Sequence, residues 1–122
     1  LLRRAEAAGC RVVVVTVDSP TRGNREGERW FAREIAAKGG RTGNFEGFGG
    51  PPRIGDPAAT WELVPWLREN TRMRVVLKGI VTGEDATIAR RRGVDGLIVS
   101  NHGGRQEESG RGTLECLPEV VA

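Results

Sequence analysis

The stretch "IVSNHGGRQ", residues 98–106, joins an apolar run to side chains that could carry out chemistry. His102 is the only histidine of the chain, and Arg105 follows it by three residues. An imidazole exchanges protons near neutral pH, and a planar guanidinium binds a carboxylate through two parallel hydrogen bonds. The intervening Gly103 and Gly104 allow backbone to approach a bound molecule closely. These residue types at the end of an apolar run suggest an active site, although a lone histidine is more often a surface residue or a hydrogen-bonded core residue.

Two further ionisable residues, Asp18 and Lys78, also follow apolar runs directly. The runs that precede the three residues are "RVVVVTV" at 11–17, "RVVL" at 74–77 and "GLIV" at 96–99. Asp18 stands before Ser19-Pro20 and could be an ordinary turn residue. Lys78 could extend its stem along apolar surface and place its ammonium in water. The shared position of the three residues favours a common site over these separate explanations.

The apolar runs have the composition of strands that are buried on both faces of a parallel sheet. A helical pattern precedes each run: "LLRRAEAAG", which Gly9 closes, "DPAATWELVPWLRENT" and "TGEDATIARRRG". In the second pattern Trp61, Val64 and Leu67 recur at spacings of three, and Thr82 or Gly83 is suited to cap the third helix. A further helix is predicted to begin in "LECLPEVVA".

Repeated helix–strand units predict an α/β fold with a parallel sheet. Ligands bind at the carboxyl edge of such sheets, in open sheets and in closed barrels alike. We therefore expect Asp18 and His102 to lie within hydrogen-bond reach at that edge, with Lys78 on the strand between them.

Composition narrows the functional class. The chain is 38% hydrophobic and 29% charged, as globular proteins are, and its net charge of +3 is spread rather than clustered. A nucleic-acid partner is therefore not indicated. The spacing of Cys10 and Cys116 fits neither a metal motif nor a disulfide framework, so we expect no metal and a reducing, cytoplasmic location. No apolar run is long enough to span a membrane.

Residues 27–56 are predicted to contain no strand and to include a mobile, glycine-rich loop over the site. The stretch "GGRTGNFEGFGGPP", residues 39–52, follows no strand and opens no helix, so it does not fit a dinucleotide-binding turn. A long insertion after a strand is more typical of a lid or access loop. Most of the arginines at positions 22, 25, 29 and 33 are expected on a solvated helix face.

Three motifs resemble one family in order and spacing: "TVDSPTRGNRE" at 16–26, "LKGI" at 77–80 and "SNHGGRQ" at 100–106. The family is the FMN-dependent α-hydroxy acid oxidases and dehydrogenases, which include glycolate oxidase, lactate oxidase, mandelate dehydrogenase and the flavocytochrome lactate dehydrogenase. The resemblance implies a (β/α)8 TIM barrel and makes the three runs its fourth, fifth and sixth strands. It also implies that residues 1–122 are a central fragment of the barrel domain, incomplete as given.

The resemblance further implies FMN-dependent oxidation of an L-2-hydroxy acid to the 2-oxo acid. His102 would be the base, Asp18 would pair with its imidazole, and the side chains of Arg25 and Arg105 would hold the substrate carboxylate. Flavin contacts would come from Thr16, Lys78 and Ser100. The complete protein would be a homo-oligomer.

Two features depart from this family pattern. Glu107 and Glu108 follow the signature where many members have leucine and aspartate. A complete barrel needs roughly 250 residues, so we expect the 122-residue chain to lack the phosphate-binding loops and to be inactive alone. Two alternatives stay open: another FMN barrel enzyme, such as a type 2 isopentenyl diphosphate isomerase, and a truncated, non-catalytic barrel fragment that serves as a structural module.

Overall fold

Three helix–strand units form the frame of the computed structural model, which describes residues 1–21, 26–39, 55–106 and 108–122. Its elements are α1 (Leu2–Ala7), β1 (Val12–Thr16), α2 (Glu26–Ala37), α3 (Leu63–Asn70), β2 (Arg74–Ile80), α4 (Gly83–Arg91), β3 (Gly96–Val99) and α5 (Thr113–Val121). Within these ranges no helix is long and apolar enough to cross a membrane.

The strands form one parallel sheet in the order β1-β2-β3. Thr16 pairs with Lys78, and Lys78 pairs in turn with Ile98. The middle strand therefore brings the ends of β1 and β3 to the same edge, as the repeated helix–strand pattern predicted.

Helices cover one face of this sheet. Val75 and Leu77 of β2 are buried there against Val64 and Leu67 of α3, and Trp61 packs partly against the same cluster. Each fully buried aliphatic side chain of this size contributes about 1.5–3 kcal/mol through apolar burial. The predicted apolar stripe is confirmed for Val64 and Leu67 of α3, whereas Trp61 lies before the first residue of that helix.

None of the described residues covers the opposite face of the sheet. Val14 of β1 remains 49% exposed and Ile98 of β3 41% exposed, although both are β-branched strand residues. Side chains alternate between the two faces of a strand, so Thr16 and Lys78 lie on this open face with them.

The end of β2 differs from the prediction. The strand continues to Ile80, so Lys78 lies inside β2 instead of directly after it. The pairing of β2 with β3 shifts register between Lys78 and Ile80, which makes Gly79 a bulge. Because the bulge adds one residue, Ile80 returns to the helix-covered face and is buried.

Two helix starts were also predicted. The helix expected over 56–71 begins only at Leu63, because Asp56 forms a turn instead: its Oδ1 accepts a hydrogen bond from the amide of Ala58. The cap of α4 is confirmed, since Thr82 Oγ1 accepts a hydrogen bond from the amide of Asp85 at 3.2 Å.

The segment 27–56 is described only in part. Its described residues form most of α2 and contain no strand, and Arg29 and Arg33 are exposed on that helix as predicted. The glycine-rich loop, apart from Gly39, lies outside the described residues, as do positions 22 and 25. The predicted mobility of the loop therefore stays a prediction.

Candidate active site

Asp18 and His102 meet at the carboxyl edge of the sheet. Asp18 Oδ1 lies 2.9 Å from His102 Nδ1, and the side chains are 5% and 33% exposed, respectively. The predicted contact between these residues is confirmed. A buried carboxylate against an imidazole nitrogen is an arrangement that orients a histidine for proton transfer.

Lys78 completes this cluster from the middle strand. Its Nζ lies 3.5 Å from His102 Nδ1 and 3.9 Å from Asp18 Oδ2. An ionised carboxylate only accepts hydrogen bonds, so Nδ1 carries a proton toward Asp18 and cannot also accept one from the ammonium. Lys78 is therefore attracted mainly to the carboxylate, and Nε2 is the ring nitrogen left free to accept a proton.

Asp18 Oδ2 is a buried oxygen that accepts no hydrogen bond from the described part of the chain. Buried polar atoms normally have a partner, and those without one are common at functional sites. The Lys78 ammonium, at 3.9 Å, partly offsets this cost through charge. The carboxylate thus sits between two groups that carry or acquire positive charge.

Ser19 is a site residue that the sequence analysis missed. Its Oγ donates a hydrogen bond to Asp18 Oδ1 at 3.3 Å and lies 3.4 Å from His102 Nδ1. The signal was available, because a hydroxyl directly follows the aspartate. In the sequence, however, Ser19-Pro20 after Asp18 has the pattern of an ordinary turn, which hides the role of the hydroxyl.

Gly79 is a second residue that was missed. A Cβ at this position would lie 2.5 Å from Asp18 Cβ and 2.7 Å from its Cγ, and the backbone φ is +113°. Any side chain here would displace the carboxylate. An isolated glycine within a strand pattern is a known sign of a bulge or a close approach, and it was visible in "LKGI".

His102 stands on a left-handed turn. Its φ is 58°, and Gly103 and Gly104 follow with φ of 70° each. The amide of His102 donates to Ser100 Oγ at 3.1 Å. The backbone freedom that we attributed to the glycines is therefore used to form this turn.

The two predicted carboxylate-binding arginines have different outcomes. Arg105 is exposed at the end of the left-handed turn, and its Nη1 lies 3.7 Å from where a Cβ of Gly103 would stand. It is thus carried by the same turn as His102. Arg25 lies outside the described residues.

The three predicted flavin contacts occupy neighbouring positions. Thr16 and Lys78 are register partners on the open sheet face, and Ser100 follows two residues after Ile98 of that face. They would offer hydroxyl groups and an ammonium to an adjacent ring with acceptor atoms. Across the described ranges, no cluster of three or more His, Cys, Asp or Glu side chains is arranged to hold a metal ion.

A cavity of about 1340 Å³ adjoins this edge of the sheet. Its lining includes Thr16, Ser19, Arg29, Trp61, His102 and Gln106. A molecule in this cavity would therefore contact the imidazole and the hydroxyl beside it.

Two carboxylates outside the site, those of Asp95 and Glu119, form hydrogen bonds that link the strands and helices around it. The backbone N–H of Val75, followed by the Arg68 guanidinium, lowers the pKa of Asp95 below its usual value. The backbone N–H of Gly83 and then the Arg111 guanidinium lower the pKa of Glu119 in the same way.

Comparison with known proteins places this geometry in a family. 2-Hydroxyacid oxidase 2 of Mus musculus is 38% identical over 128 residues, covering 100% of this chain and 36% of that protein. A peroxisomal (S)-2-hydroxyacid oxidase of Arabidopsis thaliana is 38% identical over 136 residues, covering 99% and 36%. The chain thus spans about a third of the length of the curated relatives it matches.

Solved structures agree with these relatives. Mandelate oxidase has a TM-score of 0.71 at 36% identity, covering 98% of this chain and 35% of that one. A double mutant of flavocytochrome b2 with pyruvate bound has a TM-score of 0.71 at 30% identity, covering 98% and 26%. The three-stranded sheet is part of a (β/α)8 barrel, as predicted. The family model for FMN-dependent dehydrogenases matches residues 1–122, and the chain belongs to that family.

Proposed function

We propose that this chain is the central part of the barrel domain of an enzyme that oxidises an L-2-hydroxy acid to the 2-oxo acid with FMN. The observation that carries the proposal is the 2.9 Å contact of Asp18 with His102 at the carboxyl edge of the sheet, beside Lys78. The relatives named as 2-hydroxyacid oxidases support the substrate class.

His102 acts as the base in this proposal. The reaction removes two electrons and two protons from the substrate, and FMN, when bound, accepts the electrons. A base with a pKa near the working pH is efficient, and an imidazole meets that condition. Asp18 holds Nδ1 and stabilises the positive charge that arises when Nε2 takes a proton.

Arg105 and Arg25 bind the substrate carboxylate. The planar fork of arginine fixes a carboxylate at two points, which also fixes the α-carbon next to it. The position of Arg105 supports this role, because the turn that carries His102 also carries the arginine. The role of Arg25 rests on the family motif alone.

Thr16, Lys78 and Ser100 hold the flavin ring. The residues present fit such a group: Thr16 and Lys78 offer a hydroxyl and an ammonium on the open face of neighbouring strands, and Ser100 offers a second hydroxyl directly after β3. The ammonium stands where negative charge that develops on a reduced ring would be stabilised.

We also propose that the complete protein is cytoplasmic and forms a homo-oligomer. Cys10 and Cys116 are both free thiols, which supports a reducing compartment such as the cytoplasm. The homo-oligomer of the complete protein rests on the family resemblance alone. Size-exclusion chromatography with light scattering tests the oligomer.

Anaerobic bleaching of FMN absorbance tests the proposed activity. The full-length protein, loaded with FMN, is mixed without oxygen with L-lactate, glycolate or L-mandelate, and D-lactate serves as the control for handedness. We expect bleaching with at least one L-acid or glycolate and none with D-lactate. A flavin that stays oxidised with every hydroxy acid would contradict the proposed function.

His102→Gln is the matched variant for this test. Glutamine preserves a polar side chain but removes the base, so we expect normal FMN absorbance and bleaching at least about 100-fold slower. A His102→Gln protein that bleaches at the parent rate would remove His102 from the chemistry.

A further inference from the structure

The backbone of His102 adopts a conformation that its side chain disfavours. His102 is the one non-glycine residue with a positive φ, 58°, among the residues that the structure describes. The left-handed region crowds the Cβ of an L-residue and costs free energy unless other contacts maintain it. Gly103 and Gly104 next to it incur no such penalty, but they have many alternative conformations. The turn therefore needs groups that hold it in place.

Asn101 supplies those groups. Its side-chain Oδ1 accepts hydrogen bonds from the amides of Gly103 at 3.1 Å and Gly104 at 3.2 Å. Its backbone carbonyl accepts a further bond from the Gly104 amide at 3.0 Å. These bonds close the turn around His102, and each would be lost or strained if the residue returned to an ordinary conformation.

The opposite end of the same carboxamide is anchored to the residues that lead into the next helix, α5. Asn101 Nδ2 donates to the carbonyl of Arg111 at 3.0 Å. The Arg111 guanidinium bonds to Glu119 Oε2 at 2.6 Å, and Glu119 Oε1 accepts the amide of Gly83 at 2.9 Å. The turn is thus connected through α5 to the first residue of α4, and both helices are part of the packed frame.

We propose that Asn101 is a positioning residue, which holds His102 in its left-handed conformation and so keeps the imidazole against Asp18. The inference rests on the proposed function of His102 as base. Without the carboxamide, Gly103 and Gly104 release the turn, and the imidazole leaves the 2.9 Å contact for part of the time. A displacement of about 1 Å at a catalytic group costs on the order of 100-fold in rate.

Two substitutions separate this role from a purely structural one. Asn101→Ala removes both functions of the carboxamide. Asn101→Asp keeps an oxygen that accepts from Gly103 and Gly104, but it replaces the donor to Arg111 by a carboxylate oxygen that the Arg111 carbonyl repels. Asn70→Ala is the matched control, because Asn70 also donates Nδ2 to a backbone carbonyl, that of Trp66 at 2.8 Å, far from the site in α3. All are made in the full-length, FMN-loaded protein.

The readout is the rate of anaerobic bleaching at saturating hydroxy acid, expressed per bound FMN. We expect the bleaching rate of Asn101→Ala to be about 100-fold below that of the parent, and the rate of Asn101→Asp to be about tenfold above that of Asn101→Ala. Asn70→Ala should match the parent. Because the rate counts only FMN-bound protein, a general loss of stability does not move it.

Three outcomes decide the matter. An Asn101→Ala protein whose rate per bound FMN stays at the level of Asn70→Ala, even with a lower Tm, would overturn the inference. An Asn101→Asp protein as slow as Asn101→Ala would refute the role of Oδ1. A parent protein whose flavin is bleached by none of the hydroxy acids would contradict the proposed function. Crystal structures of the parent and of Asn101→Ala would then test the inference, which predicts a longer Asp18–His102 contact in the variant.

Discussion

Asp18 Oδ1 and His102 Nδ1 are 2.9 Å apart although the two residues are separated by 84 positions in the chain. They follow β1 and β3, the two outer strands of the sheet, and β2 lies between these strands. Their contact is possible because both follow the carboxyl ends of parallel strands and because Gly79 leaves the space that the carboxylate occupies. The first two predictions concern this contact.

Asp18→Asn preserves the shape of the side chain but removes its charge. The amide no longer stabilises the positive imidazole that forms during proton uptake, so we expect the bleaching rate of the FMN-loaded, full-length protein to fall by on the order of 100-fold. FMN content should stay close to that of the parent. The control is Asp56→Asn, because Asp56 lines the same cavity and its Oδ1 accepts a hydrogen bond from the Ala58 amide in a turn away from His102. Equal rates for parent and Asp18→Asn would disprove the role of the carboxylate.

Gly79→Ala places a methyl group 2.5 Å from Asp18 Cβ, in a backbone conformation with φ of +113°. We expect a loss of about 1–3 kcal/mol in the free energy of unfolding, and a loss of activity as Asp18 moves away from His102. Gly93→Ala is the control, because Gly93 also has positive φ but a methyl group there would have nothing within 4 Å of it. Urea unfolding and stopped-flow bleaching measure both effects. A Gly79→Ala protein as active as Gly93→Ala would show that the close approach has no bearing on the site.

Arg105→Lys keeps the charge and loses the planar fork. A lysine ammonium cannot reproduce a two-point contact with a carboxylate, so we expect the hydroxy-acid concentration at half-saturation to rise by about tenfold or more. The rate at saturation should change less. Arg33→Lys, on the exposed side of α2, is the control. An unchanged half-saturation concentration would mean that Arg105 does not bind the substrate carboxylate.

Asp95→Ala tests the hydrogen bonds that link Asp95 to strand β2 and helix α3. Asp95 Oδ2 accepts hydrogen bonds from the Val75 amide at 2.7 Å and from Arg68 at 2.9 Å, and Val75 is fully buried. Leaving that amide without a partner should cost about 1–3 kcal/mol at pH 7. Urea unfolding of parent and variant measures the difference.

The same pair predicts a dependence on pH. The pKa of Asp95 is lowered in the folded protein, by the Val75 amide first and by Arg68 second. A group of this kind stabilises the fold fully above its ordinary carboxyl pKa and loses that contribution as the pH falls through its lowered value. The difference between parent and Asp95→Ala should therefore be constant from neutral pH down to about 4 and shrink only below that. A difference that disappears already near pH 6 would contradict this account.

The sequence alone was sufficient to predict the three helix–strand units and the order of their strands. The β-branched runs, the helical patterns before them and Thr82 as a helix cap are local signals, because strand and helix preferences depend on neighbouring side chains and backbone hydrogen bonds. The motifs around Asp18, Lys78 and His102 were also sufficient to indicate the family. Placing Asp18 and His102 at one edge required only the rule that parallel strands end together.

What remained depended on tertiary structure. The bulge at Gly79 and the left-handed conformation of His102 both arise where the local pattern is overridden by register and packing. The roles of Gly79 and Asn101 are set by atoms that the chain brings in from elsewhere: the Asp18 side chain in one case and the Arg111 carbonyl in the other. Local preferences do not encode such contacts, because they form only once strand order and register have fixed which distant residues face one another.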